Sequence, residues 1–138
     1  MKSILSPYIN FKRNTREAME FYKSVFGGEL TIGTFKDFNV PQEAGDEDLI
    51  MHSQLEAANG ITFMASDTPD RMEIVAGNNI TLTLSGDNEV ELTGYFNGLS
   101  VGGTITQPLV MANWGDTFGM LVDKFGITWL VNISAAKG

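Results

Sequence analysis

Apolar residues recur along this chain with two different periods, and the changes of period mark its elements. Residues Ile4 to Phe11 read as a strand. Asn14 then stands three positions before Glu17, the spacing of an N-terminal capping box with Asn as the cap. Ala18, Phe21, Tyr22, Val25 and Phe26 follow at helical spacing, and Gly27-Gly28 ends the helix. Strands are predicted near Glu29 to Phe35, Leu49 to Glu56 and Gly60 to Ser66. The last two are joined by Ala57-Ala58-Asn59-Gly60, where Asn-Gly is a strong hairpin signal.

The same order then returns. Ile80 to Leu84 alternates as a strand, and Asn88 stands three before Glu91 as a second cap. Leu92, Tyr95, Phe96 and Leu99 form the apolar stripe of a helix that Gly94 makes less regular and Gly102-Gly103 ends. A strand near Thr104 to Thr106 leads into an expected loop, Gln107 to Asp116. A final hairpin, Thr117 to Ile133, turns at Asp123-Lys124-Phe125-Gly126.

Two blocks recur in the same order in each half. Phe26 to Thr31 matches Val101 to Thr106, and Gly60 to Met64 matches Gly126 to Leu130. This is the mark of a duplicated unit. A unit of about sixty residues with a one-sided sheet cannot hide its apolar face alone. Residues 1–138 therefore read as one domain, with module one at about 1–67, a turn-rich linker at 68–79 and module two at about 80–134.

Composition narrows the function. Nine basic residues against seventeen acidic ones give a net charge of −8, which repels phosphate backbones and argues against a nucleic-acid partner. With no cysteine there is no thiol chemistry, and a reducing, cytoplasmic setting fits. No apolar stretch is long enough for a membrane span, and the N-terminal apolar run is too short for a signal peptide. Glu43, Asp46, Glu47 and Asp48 crowd one segment without the alternate-position spacing of an EF-hand, and read as a solvated loop. Nucleophile-elbow, P-loop and HExxH motifs are absent.

The segments FYKSVFGGEL, MHSQL, ITFMASDTP, GGTITQPL and WGDTFGMLVDKFGITWLVN carry a resemblance that covers nearly the whole chain. They resemble the PhnB-like branch of the vicinal oxygen chelate superfamily, which includes glyoxalase I, bleomycin-resistance proteins and extradiol dioxygenases. The resemblance implies an α+β fold of two βαβββ modules forming a curved eight-stranded mixed sheet around a cavity, in a homodimer. Members are often labelled 3-demethylubiquinone-9 3-methyltransferases, yet this chain has no Gly-rich strand-to-helix loop of the kind that cradles a nucleotide-like cofactor.

The resemblance also implies where a divalent metal would bind: on His, Gln or Glu side chains from the first and last strands of each module. Those strands offer Pro7, Tyr8 and Asn10, then Phe63, Met64 and Ala65 with Asp67 just past the end, then Thr81 and Thr83, then Trp129, Val131 and Asn132. None is a histidine or glutamate, and hydroxyls and amides are weak ligands for a catalytic transition metal. Asp67 reads as part of an Asp-Thr-Pro turn.

Candidate cavity-wall residues follow from alternation and from the repeat. His52, the single histidine, shares a strand face with Gln54 and is either a cavity-wall acid/base or hydrogen-bond donor, or a hydrogen-bonded structural histidine. The repeat pairs these two with Phe118 and Met120, Phe63 with Trp129, and Tyr8 with Thr83. Phe63 and Trp129 are either wall or core aromatics. Trp114, in a Gly-flanked loop, either covers a pocket mouth, anchors a partner subunit or plugs the sheet's end. The resulting expectation is a binding pocket for a small, partly apolar molecule, lined by Tyr8, His52, Gln54, Phe63, Trp114, Phe118 and Trp129, with no metal or other cofactor. The alternative is a divalent-metal-dependent lyase, isomerase or dioxygenase, and a third is a degenerate member acting through protein contacts.

Overall fold

The computed structural model describes residues 3–39, 45–70 and 72–135. Among them the elements run β1 (Tyr8–Phe11), α1 (Thr15–Phe26), β2 (Glu29–Thr34), β3 (Ile50–Glu56), β4 (Thr62–Asp67), β5 (Leu82–Gly86), α2 (Glu89–Ser100), β6 (Thr104–Met111), β7 (Thr117–Val122) and β8 (Thr128–Ile133). This is the α+β, twice-repeated βαβββ order that the sequence implies. The eight strands are hydrogen-bonded as two mixed sheets of four, ordered β1-β4-β3-β2 and β5-β8-β7-β6. In each, the first strand pairs in parallel with the fourth and the other pairs are antiparallel. The chain separates into two compact units, one ending at Val75 and the next beginning at Ala76.

The repeated Gly-Gly pairs have the same physical cause in both units. Gly27 and Gly102 take φ of 72° and 75°, the left-handed region that ends a helix on glycine. Gly28, itself at φ of 89°, and Gly103 answer a second demand, for space. A Cβ on Gly28 would collide with the main chain of Glu56 and Ala57, and one on Gly103 with that of Val122 and Asp123. Each helix therefore turns into its next strand in direct contact with the end of the strand beside it.

Each helix packs on one face of its own sheet. Ala18, Met19, Tyr22 and Phe26 of α1 are buried, as are Leu55, Phe63 and Ala65 beneath them. Phe63 takes Tyr22 and Phe26 edge-on, with ring centroids 5.3 and 6.1 Å away. In the second unit Leu92, Phe96 and Leu99 of α2 are buried with Leu121, Trp129, Val131 and Ile133. Truncating any of the large members of these cores removes about 3–5 kcal/mol.

Four sequence expectations shift. The first strand begins at Tyr8 rather than Ile4; Ile4 and Leu5 lie exposed ahead of Pro7, and pairing reaches back only to the Pro7 carbonyl, which accepts from Met64 N–H. The expected loop from Gln107 is strand as far as Met111, because two register shifts in the β6–β7 pairing absorb Pro108 on an edge strand. Asn14 makes no side-chain cap to α1, whereas Asn88 Oδ1 does accept from Glu91 N–H at 3.0 Å. The acidic segment is not simply solvated: Asp46 is buried and takes Arg13 Nη2 at 2.8 Å, while Glu43 lies outside the described residues.

Candidate functional site

Cross-strand partners share a face, so the registers say which side chains stand together. In the first unit Ser53, Leu55, Phe63 and Ala65 face α1, and the alternate residues face away from it. That second face carries Tyr8 opposite Met64, Met64 opposite Gln54, Gln54 opposite Thr31, and His52 opposite Gly33. The Tyr8 and His52 rings lie 6.3 Å apart. His52, Gln54 and Met64 are half-buried and Tyr8 is exposed. Gln54 Nε2 donates to Glu56 Oε1 at 2.9 Å, which fixes its amide and leaves its carbonyl oxygen as an acceptor. The structure thus brings Tyr8, His52 and Gln54 together on one face of one sheet.

The corresponding face of the second unit carries Phe118 opposite Asn132, Met120 opposite Leu130, and Thr83 opposite Leu130. The repeat equivalences hold in detail: Thr83 occupies the Tyr8 position and Phe118 the His52 position. This face is mainly aromatic and apolar, where the first mixes hydrogen-bonding groups with Met64 and the Tyr8 ring. Trp114 stands in the β6–β7 connection, two-thirds exposed, its ring 5.3 Å from Phe118 and inclined by 31°. Asp116, in the same turn, accepts from Asn132 Nδ2 and Ala135 N–H, both at 3.1 Å.

Phe63 and Trp129 stand elsewhere. Both alternate onto the helix-facing side and are only 3% exposed, so they belong to the cores and not to the faces just described. Wall and core were equally open for them in the sequence because alternation gives two faces without saying which one a helix covers. Trp129 Nε1 donates to Asp123 Oδ2 at 2.9 Å, and Asp123 Oδ1 also accepts from Phe125 and Ile127 N–H. That carboxylate is a buried anchor for the last hairpin.

Asp67 is likewise committed. It ends β4, faces the helix side and is 5% exposed. Its Oδ1 accepts from Thr15 N–H at 3.0 Å and its Oδ2 from Ile50 N–H at 2.8 Å. It supplies the cap that Asn14 does not, and it is turned away from His52. The side chains facing away from the helices on the first and fourth strand of each module are Tyr8, Asn10, Met64 and Ser66, then Thr83, Ser85, Leu130 and Asn132. This donor set of phenol, amides, hydroxyls and thioether does not fit a catalytic divalent metal. Among the described residues no three His, Asp or Glu side chains are grouped to hold an ion.

Two participants lie outside the candidate wall residues. Met64 is central to the first face by register, and Phe38 reaches it through Gly33, whose missing side chain was the one available signal.

Comparison with known proteins bears on the family and the fold. Residues 3–132 match the family described as 3-demethylubiquinone-9 3-methyltransferase. The chain is similar to protein YjdN of Escherichia coli, 26% identical over 141 residues that cover 94% of each chain. It is similar in structure to protein PA1353 from Pseudomonas aeruginosa, with TM-score 0.84 and 31% identity over 98% of this chain and 100% of that one. The PhnB protein from Bacillus cereus follows at TM-score 0.75 and 26% identity, over 96% and 100%. A glyoxylase/bleomycin resistance protein/dioxygenase domain from Frankia, at TM-score 0.66 and 11% identity over 97% and 98%, shows the shared fold alone.

Proposed function

This chain belongs to the 3-demethylubiquinone-9 3-methyltransferase family, a PhnB-like branch of the glyoxalase/bleomycin resistance/dioxygenase superfamily, and on that premise we propose that it binds a small, partly apolar molecule without using a metal. The observation that carries the reading is the fate of the carboxylate. The aspartate at the end of the fourth strand is buried against two main-chain N–H groups, and what faces away from the helix is Tyr8, His52, Gln54 and Met64, with the carboxylate of Glu56 at the exposed end of β3 taken up by Gln54. A few hydrogen-bonding groups set among apolar ones are the usual make-up of a small-molecule site. The second unit carries a face of its own with Phe118, Met120 and Trp114, which is more apolar.

The family's description names a methyl transfer. The strand-to-helix connections here are Lys12-Arg13-Asn14 and Asp87-Asn88, with no glycine-rich turn to approach a nucleotide-like methyl donor. Binding is therefore the better account of these residues. The protein would act in the cytoplasm as a homodimer. The dimer is supported by the edge position of β6 and its exposed Val110 and Met111. Among the described residues no helix is long and apolar enough to cross a membrane.

Metal analysis of protein purified without chelators tests the central reading. The expected content is well below one divalent ion per chain. Stoichiometric zinc, nickel, manganese or iron that is lost in His52→Ala would overturn it in favour of a metal-dependent enzyme. Sedimentation at micromolar concentration tests the dimer, and a monomer alone would remove it.

A further inference from the structure

Gly33 and Phe38 are a fitted pair. Gly33 stands opposite His52 in the β2–β3 register, so a side chain at position 33 would rise from the face turned away from α1, beside the imidazole. There is no room for one, because a Cβ on Gly33 would collide with the Phe38 ring. An isolated glycine inside a strand marks the close approach of another group, and here that group is an aromatic ring.

The turn that presents Phe38 is pinned by its own hydrogen bonds. Thr34 N–H donates to Asp37 Oδ2 and Asp37 N–H to Thr34 Oγ1, each at 3.0 Å, and Phe38 N–H donates to Thr34 O at 3.3 Å. The Thr34 N–H holds the Asp37 carboxyl below its ordinary range, so the clasp persists at neutral pH. Phe38 nevertheless remains 49% exposed. A ring meant only for core packing would be buried like Phe63. This one is held at the surface over Gly33, which stands one strand spacing from the single histidine, with Tyr8 on the imidazole's other flank.

We propose that Phe38 is a specificity-determining residue: its ring, seated on Gly33, is the wall against which a flat, conjugated part of a ligand lies beside His52. The inference rests on the small-molecule reading above and adds the class of ligand, a planar ring system in place of an aliphatic one. Ring–ring contact rewards planarity beyond the area it buries. Gly33 is what lets the wall stand close to the sheet.

The single histidine gives an unambiguous reporter, since its imidazole resonance in an NMR spectrum needs no assignment. The probes are 2-naphthoate and its saturated decahydro counterpart, which share a charge and differ in flatness. The wild type is expected to bind the flat probe more tightly, with a saturable shift of the His52 signal. Phe38→Ala is expected to weaken 2-naphthoate about five- to tenfold and to erase the preference, while Phe38→Tyr restores both. Gly33→Val, which displaces the ring from beneath, should reproduce Phe38→Ala, and melting curves for all variants separate lost binding from lost folding. If Phe38→Ala binds 2-naphthoate with unchanged affinity while His52 still responds, the role of Phe38 is overturned and the face stands. If neither probe moves the wild-type His52 signal, the reading of the face fails and the inference falls with it.

Discussion

Asp67 Oδ1 accepts the main-chain N–H of Thr15 at 3.0 Å, so the last residue of β4 caps the first residue of α1. The same carboxylate takes Ile50 N–H at 2.8 Å, where β3 begins. One buried side chain thus ties a helix start and two strands of the first unit. Hydrogen bonds to a charged group contribute about 1.5–3 kcal/mol each, and their loss leaves buried donors unmet. Asp67→Ala should therefore cost about 3 kcal/mol or more in urea unfolding. Asp67→Asn, which keeps one acceptor oxygen, should cost roughly half of that. An Asp67→Ala protein within about 1 kcal/mol of wild type would show that the carboxylate is not the tie described.

The glycines separate just as sharply. A methyl group on Gly28 or Gly103 meets main-chain atoms that cannot swing aside. Gly94, inside α2, has nothing within 4 Å of where its Cβ would be. Gly28→Ala and Gly103→Ala should each destabilise by about 2 kcal/mol or more, because backbone must shift. Gly94→Ala should stabilise by about 0.5–1 kcal/mol through helix propensity alone. Thermal melts of the three variants check the contrast, and a stable Gly103→Ala would break the account of why the repeat keeps its glycine pairs.

That contrast also explains what could be read in advance. The paired glycines, the Asn59-Gly60 hairpin with φ of 63° and 78°, and the Asn88 cap are local backbone demands, and local demands are written in consecutive residues. The repeat gave correct equivalences for Tyr8 with Thr83 and His52 with Phe118 because they follow from counting along matched strands. Asp67 was misread as turn chemistry because its partner Thr15 lies 52 residues away. Phe38 was missed because its role depends on a register, Gly33 against His52, that no short window contains. Phe63 and Trp129 stayed ambiguous until the helices chose a face.

Arg13 makes a pH-dependent clasp. It sits at φ of 66° with its guanidinium bridging Asp70 at 2.7 Å and Asp46 at 2.8 Å. The Arg13 hydrogen bond holds the Asp70 carboxyl below its ordinary range, and the bridged guanidinium is in turn held more firmly protonated. A depressed carboxyl stabilises the fold above its unfolded pKa of about 3.9 and loses that contribution as pH falls through the lower folded value. The melting-temperature difference between wild type and Arg13→Met should be greatest near neutrality and should shrink below about pH 3.9. High salt should reduce it too, because the pair is exposed. A difference independent of pH from neutrality to strong acid would assign the effect of the substitution to something other than Asp70.

The last hairpin offers a test built from the protein's own duplication. Trp129 in the second unit occupies the place of Phe63 in the first, and Asp123 the place of Ala57. The indole N–H is what differs, and Asp123 is there to accept it at 2.9 Å. Removing the carboxylate in Asp123→Ala strands a buried indole donor and two main-chain donors, so about 2–3 kcal/mol should be lost. Trp129→Phe keeps a ring in the core and should cost about 1–2 kcal/mol. The double variant recreates the Ala-and-Phe pair of the first unit, where no indole needs an acceptor. It should therefore be more stable than the sum of the two single losses implies, by about 1 kcal/mol. Urea unfolding of the four proteins measures that coupling directly. A value near zero would mean that the tryptophan and the aspartate are independent, and that the second unit did not acquire them as a pair.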